Sequence, residues 1–257
     1  MGADGELGGR VAVVTGGGAG IGRAVARRLV DAGARVAITG RDRGRLDEAA
    51  SELGGGTLAV PCDVSDPAAV EHLHDRVREW AWPVTILVNN AGVAGPTAAL
   101  VDVDPADWDE VMAINVRGVY LCCRAFLPGM VERGDGDVIN LSSVSGKRPL
   151  ARRTPYTASK MAVIGLTRTL AFEVGPLGVR VNTLSPGPVR GPRMDGVFER
   201  EAQATGTSIE DAERAYVSRA AMSRMVTEDE VAEAVVAMLR MRSMSGADID
   251  LSAGMVA

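Results

Sequence analysis

The run Arg10-Val11-Ala12-Val13-Val14-Thr15 passes directly into Gly16-Gly17-Gly18-Ala19-Gly20-Ile21-Gly22, and then into a segment with Ile21, Val25 and Leu29 in helical register. This order of strand, glycine turn and helix constrains the fold more than any other stretch. Glycines in the turn let the backbone approach a pyrophosphate closely. The helix that follows aims its free N–H groups and the positive end of its dipole at the same place.

The same two periods alternate along the rest of the sequence. Strand patterns cover 35–39, 57–62, 86–89, 138–141, 180–184 and 248–251, with helical patterns near 45–53, 67–80, 105–130, 156–174 and 228–241. Asp66-Pro67 and Asp104-Pro105 each set an acidic cap before a proline at the first helical position, and Thr227 with Glu230 makes a capping box. Such alternation implies parallel βαβ units, hence an α/β fold: a Rossmann-type doubly wound parallel sheet of about seven strands with helices on both faces. No repeat, low-complexity linker or compositional shift divides the 257 residues, so 1–257 reads as a single domain.

Composition narrows the partners. A chain that is 46% hydrophobic and 24% charged is ordinary for a globular protein, and a net charge of −5 argues against nucleic acid or an anionic membrane as the main partner. Cys62, Cys122 and Cys123 are odd in number and lack metal-site spacing, which reads as reduced core thiols in a cytoplasmic protein. His72 and His74 lie two apart and do not share a helical face, so no metal is expected. The Gly-rich leader 1–9 lacks the apolar region of a signal peptide. No window is expected to reach the roughly 18 apolar residues of a membrane span.

Chemistry concentrates in Tyr156-Thr157-Ala158-Ser159-Lys160, which sets a phenol and an ammonium four residues apart on one face of a helix. Upstream, Ser142-Ser143 ends the apolar run 138–141. A lysine beside a tyrosine favours the phenolate and lowers the phenol pKa from about 10, which suits proton exchange at an alcohol or carbonyl.

With these motifs in this order, the chain resembles the short-chain dehydrogenase/reductase family over nearly its whole length. Thr15-Gly16-x-x-x-Gly20-x-Gly22 looks like the family's cofactor loop, and Asp63-Val64 like its adenine-contacting acid. Asn89-Asn90-Ala91-Gly92 is similar to the motif that stabilises the fourth strand, and Pro186-Gly187 to the turn after the sixth. Asn115, Ser143, Tyr156 and Lys160 match the catalytic tetrad. The resemblance implies that Tyr156 gives or takes the hydroxyl proton, and that Ser143 hydrogen-bonds the substrate oxygen. Lys160 would lower the tyrosine pKa and hold the nicotinamide ribose, while Asn115 would support a water that relays protons to Lys160. Implied cofactor contacts are Thr15, Gly16, Gly18, Gly20, Ile21, Gly22, Asp63, Val64, Asn89, Ala91, Gly92, Tyr156, Lys160, Pro186 and Gly187. The threonine usual after that turn is replaced by Pro188-Val189-Arg190, so anchoring there falls to backbone groups such as those of Val189. A second departure, Asp250-Leu251-Ser252-Ala253-Gly254, stands where many relatives have Val-Asp-Gly-Gly.

Cofactor choice turns on Ile38-Thr39-Gly40-Arg41-Asp42. Gly40 stands where NAD-preferring relatives carry Asp, and a guanidinium can grip a 2′-phosphate in two places, so Arg41 favours NADP(H) over NAD(H). Ala19, often basic in NADP-preferring relatives, and Asp42, able to neutralise Arg41, weigh against it.

The reading is therefore a ketoreductase-type oxidoreductase interconverting a ketone and a secondary alcohol, mainly in the reductive direction. Its small-molecule substrate would lie under a lid at about 190–225, made of two short helices separated by Thr205-Gly206. Apolar residues beyond one face of 105–130 and 156–174 imply a homodimer or homotetramer. The alternatives are an NAD-dependent secondary-alcohol dehydrogenase of the same family and a non-catalytic nucleotide-binding regulator, which would need no proton relay. Lys147, Arg148, Arg152, Arg153, Arg190 and Arg193 read as loop-solvating or interface charges in preference to a rim guiding an anionic substrate.

Overall fold

The computed structural model describes residues 5–148 and 150–256, except for the side chains at 193, 200 and 204. Strands β1 (Val11–Thr15), β2 (Arg35–Gly40), β3 (Leu58–Pro61), β4 (Ile86–Asn89), β5 (Gly136–Leu141), β6 (Val179–Pro186) and β7 (Asp248–Leu251) form one all-parallel sheet. Their order is β3-β2-β1-β4-β5-β6-β7. The order reverses between β1 and β4, and sheets of this kind bind ligands at that switch point, beyond the carboxyl ends of the strands. Every residue of β1 and β5 is buried, which is why these strands read as continuous runs and not as alternations.

Helices cover both faces. On one lie α1 (Gly20–Asp31), α2 (Arg43–Leu53) and α9 (Glu228–Arg240), burying Val25, Leu29, Leu46 and Val235. On the other lie α3 (Pro67–Trp80), α5 (Gly118–Arg133) and α6 (Thr154–Val174), burying Leu73, Phe126 and Val163. The expected caps form: Asp66 accepts from Ala68 N at 3.0 Å, Asp104 from Ala106 N at 2.8 Å, and Thr227 and Glu230 bond each other's backbone N–H. After β6 come α7 (Pro192–Thr205) and α8 (Ile209–Val217), divided at Thr205-Gly206 and packed through Phe198, Ala202, Ala212 and Met225.

One helix departs from expectation. The segment read as continuous over 105–130 is α4 (Pro105–Met112), a π turn at Ala113–Arg117, and then α5. The whole run Pro105–Arg133 is also long and apolar enough to span a membrane by length and composition, which corrects the expectation that no segment would be. Half of its most apolar window is buried, and Phe126 and Met130 lie in the core, so its apolarity belongs to packing against the sheet.

At the amino ends of the strands, Asp137 is buried between two guanidinium groups, with Arg10 Nη2 at 2.8 Å from Oδ2 and Arg180 Nη2 at 2.6 Å from Oδ1. Arg10 also donates to Thr85 O at 2.6 Å. This ion cluster fastens the starts of β1, β5 and β6, on the side of the sheet away from the switch point.

Burial pushes the Cys62 thiol up to about 11 and the Cys123 thiol up to about 12, and raises Cys122 as well. A thiolate is the reactive form, so the native protein should give no signal with Ellman's reagent at pH 7.5, and all of its thiols only in denaturant. A fast native reaction would show that one of them is reachable.

Candidate active site

Thr15, the stretch 89–92 and Ser143 stand at or just beyond the carboxyl ends of β1, β4 and β5, with Arg41 following β2, Asp63 following β3 and Gly187 following β6. Thr15, the last residue of β1, is buried, and its Oγ1 accepts from Asn90 N at 2.9 Å and Ala91 N at 3.0 Å. Asn90 Nδ2 returns a bond to Thr15 O at 2.8 Å. Asn89 is buried at the end of β4 and donates to Asn140 Oδ1 at 2.8 Å on β5. The side chains of Thr15 and Asn90 thus fasten the glycine turn to the loop after β4, while Asn89 ties the end of β4 to β5.

The fit of a dinucleotide is tested by the glycine turn itself. Ala19, at the N-cap of α1, offers no side chain to the first-turn N–H groups, and the first turn holds no acid. Gly20 takes φ +55, in the left-handed region that favours glycine, and a Cβ on Gly22 would fall 2.1 Å from Gly16 O. The turn is therefore closed onto the helix, with the helix N-terminus left to a ligand. That suits a pyrophosphate, and the residues present fit the group.

Arg41 is exposed just beyond β2. Asp42 caps α2 by accepting from Arg45 N at 3.1 Å, with Arg45 Nε 3.4 Å from its Oδ2. Its charge is thus engaged by Arg45. Hydrogen bonds from Ser65 Oγ and N hold the Asp63 carboxyl below the usual carboxylate range, with the nearby Arg41 charge adding to the effect. Val64 is buried beside it.

Around Tyr156, Lys160 and Asn115 come together, and the turn headed by Ser143 packs against the same helix. Lys160 Nζ lies 5.7 Å from the Tyr156 ring centroid and donates to Leu141 O at 2.9 Å. A Cβ on Gly92 would meet Asn115 Oδ1 at 3.1 Å and Lys160 Nζ at 3.5 Å, which places all three together. Asn115 lies in the π turn and gives one amide hydrogen to Val93 O at 3.0 Å and the other to Ser159 Oγ at 3.0 Å. Its Oδ1 accepts from Val93 N at 2.8 Å. Ser143 is buried, and its Oγ accepts from Ser145 N at 3.1 Å. Next to it, Ser142 Oγ donates to Lys160 O at 2.8 Å.

Sequence reasoning did not single out Val93 or Ser159 as the partners of Asn115. Val93 acts through its backbone alone, which no residue pattern marks. Ser159 stands beside Lys160 and was the one visible clue.

Past β6, Gly187 N donates to Leu251 O at 2.9 Å, while Val226 N donates to Pro188 O at 3.1 Å and Arg190 N to Val226 O at 2.9 Å. Since consecutive residues of an extended chain point their N–H and C=O groups to opposite sides, those of Val189 face away from Val226. The basic residues of the rim have internal partners. Arg148 Nη1 donates to Met255 O, Arg152 Nη2 to Thr97 O, Arg153 Nη2 to Ala94 O, and Arg190 pairs with Glu213 at 3.0 Å. The Arg193 side chain lies outside the described residues. Among the described residues no group of three or more His, Cys, Asp or Glu could hold a metal, and His74 packs between the Trp82 and Phe126 rings.

The short chain dehydrogenase family model matches residues 10–202. The 2-(S)-hydroxypropyl-CoM dehydrogenase 3 of Xanthobacter autotrophicus is 35% identical over 252 residues, covering 96% of this chain and 96% of the relative. Galactitol 2-dehydrogenase (L-tagatose-forming) of Cereibacter sphaeroides is 45% identical over 188 residues, 72% of this chain and 73% of the relative. A variant of the actinorhodin polyketide ketoreductase, solved with NADPH, aligns at a TM-score of 0.91 and 33% identity, over 96% of this chain and 97% of that one. A family match along most of the length, with relatives alike in sequence and a solved protein alike in fold, shows that the chain belongs to the short-chain dehydrogenase/reductase family, enzymes that act on alcohol and carbonyl groups.

Proposed function

We propose that this enzyme reduces a ketone to a secondary alcohol with NADP(H), Tyr156 acting as general acid. The observation that carries the reading is the meeting of Tyr156, Lys160, Asn115 and the Ser143 turn beside the glycine turn at the sheet's switch point. A nicotinamide group, when bound, supplies the hydride.

The chain's own part is orientation and charge. Ser143 Oγ hydrogen-bonds the substrate oxygen and fixes which carbonyl faces the cofactor. Tyr156 gives its phenolic proton to that oxygen as charge builds there, and takes it back in the oxidative direction. Lys160 favours the phenolate and holds the nicotinamide ribose, while Asn115 keeps Ser159, and with it the next residue Lys160, in place. Relay of protons through Asn115 uses a water at its main chain, both of its amide hydrogens being taken.

The turn Gly16, Gly18, Gly20, Ile21 and Gly22 holds the pyrophosphate, with Thr15, Asn89, Ala91 and Gly92 shaping its floor. Asp63 and Val64 receive the adenine, and Pro186, Gly187 and the outward backbone of Val189 receive the carboxamide. The helices α7 and α8 cover the substrate as a lid over about 190–225. Exposed Tyr120 on α5, with Met161 and Phe172 on α6, supports assembly through these helices as a homodimer or homotetramer. The buried reduced thiols fit a cytoplasmic protein.

NADP(H) is favoured because Gly40 brings no carboxylate to the ribose, Arg41 is exposed beside Asp63, and Asp42 is engaged by Arg45. The actinorhodin neighbour solved with NADPH supports the same preference. The test is a fluorescence titration with NADPH and with NADH, on wild type and Arg41→Ala. NADPH should bind more tightly and lose about tenfold in the variant, with NADH changed by less than about twofold. Equal or tighter NADH binding, insensitive to Arg41, would turn the assignment to an NAD-dependent secondary-alcohol dehydrogenase.

A further inference from the structure

We propose that Lys147 is a positioning residue for Ser143, acting through Asp248 and Asp250 of the edge strand β7; the proposal rests on the substrate-binding role given to Ser143 above. Ser143 heads a single 3₁₀ turn, Val144–Gly146, and its hydroxyl is held by that turn's own Ser145 N. Where the turn sits therefore decides where Ser143 Oγ sits. One side is fixed against α6, by the bond from Ser142 Oγ to Lys160 O and by Gly146, where a Cβ would fall 3.2 Å from both Lys160 C and Met161 N.

The other side is held by charge. Lys147 directly follows the turn and carries its Nζ to Asp248 Oδ2 at 3.0 Å and to Asp250 Oδ1. The Asp248 side chain is 5% exposed and also accepts from Ser185 Oγ at 2.7 Å. Ser185 is buried on β6, directly before Pro186-Gly187. One ammonium thus ties the Ser143 turn, the strand end that leads into the cofactor turn, and the sheet edge into a single unit. Both acids belong to β7, which runs into the C-terminal stretch where this sequence departs from the family's Val-Asp-Gly-Gly. A bond from Arg148 Nη1 to Met255 O at 3.1 Å reinforces the link without reaching either acid.

Because the reacting groups must be held to within a fraction of an ångström, loosening this anchor should cost turnover before it costs cofactor binding. The experiment compares wild type, Lys147→Met, Lys147→Arg and the double variant Lys147→Met/Asp250→Asn. Each is assayed for reduction of ethyl acetoacetate and a panel of other ketones with NADPH and with NADH, with NADPH affinity, melting temperature and hydrogen exchange of the peptide spanning 142–148 measured alongside. Lys147→Met should lower kcat/KM about tenfold or more, with NADPH affinity within about twofold and exchange at 142–148 accelerated selectively. Lys147→Arg, which keeps the charge, should recover most of the loss. The double variant has one acid fewer and should regain melting temperature while kcat stays low.

Recovery of kcat in step with melting temperature would reduce Lys147 to charge balance and overturn the proposal. So would unchanged exchange at 142–148 in Lys147→Met, whether or not any carbonyl is turned over. If the wild type reduces no ketone with either cofactor while exchange at 142–148 still rises in Lys147→Met, the anchor stands and the assignment of function fails instead.

Discussion

Tyr156→Phe is expected to lower kcat for carbonyl reduction by about 10³-fold, with NADPH affinity within about twofold of wild type. The substitution removes one oxygen and keeps the ring that lies beside Lys160 and under the Arg153 guanidinium, 5.5 Å from its centroid, so the packing of α6 is preserved. What is lost is the proton donor at the substrate oxygen. Ser143 can still polarise that oxygen by a hydrogen bond, which is why the expected loss is large but incomplete. The check is steady-state turnover of a ketone probe beside a binding titration. Turnover near the wild-type rate would remove Tyr156 from its role as acid. A biological effect that survives in the inactive variant would revive the reading as a nucleotide-binding regulator.

The second large effect concerns stability at the far end of the sheet. Asp137→Ala should destabilise the fold by about 3–5 kcal/mol, read as a lower midpoint in guanidinium unfolding. The carboxylate is 2% exposed and neutralises two largely buried guanidinium groups, Arg10 and Arg180, at 17% and 14% exposure. Removing it leaves two like charges facing each other across a void, whereas Asp137→Asn keeps an acceptor oxygen and should cost less. The cluster lies away from the switch point, so the fraction that remains folded should keep wild-type KM values. A loss below about 1 kcal/mol would mean that water or rearranged side chains replace the carboxylate.

What the sequence revealed and what it hid follow from the range of the interactions. The glycine turn, the proline-marked helix starts, the Thr227–Glu230 box and the division of the last segment at Gly206 are decided by residues within a few positions of one another, so they are legible in order. Strand ends fall within a residue or two of the expected ones, because β1 and most of β5 are runs of buried, mainly β-branched residues, whereas Gly136 and Asp137 at the start of β5 carry no such signal. The π turn at Ala113–Arg117 was not legible. No glycine or proline lies within it, and its Asn115 is held by bonds to Val93 and Ser159, 22 and 44 residues away. The partners of Arg10, Lys147 and Arg153 were hidden for the same reason. Each charge looks solvated until folding brings its acceptor from another strand or loop. Of the candidate site, spacing marked Tyr156 and Lys160 and the family resemblance added Asn115 and Ser143; the bonds that orient them were not legible.

The π turn also limits how this enzyme can be recombined with its relatives. It inserts the equivalent of one residue into a helical run, and removing that residue would turn everything after it by roughly 100° about the helix axis. Phe126 and Met130 would then swing away from the sheet, and Arg124, Glu132 and their neighbours would turn towards it. A chimaera whose junction falls within Ala113–Arg117 therefore folds only if both parents carry the same extra residue there. Junctions in the loop after β4, ahead of Asp104, leave the phase of the helix with a single parent.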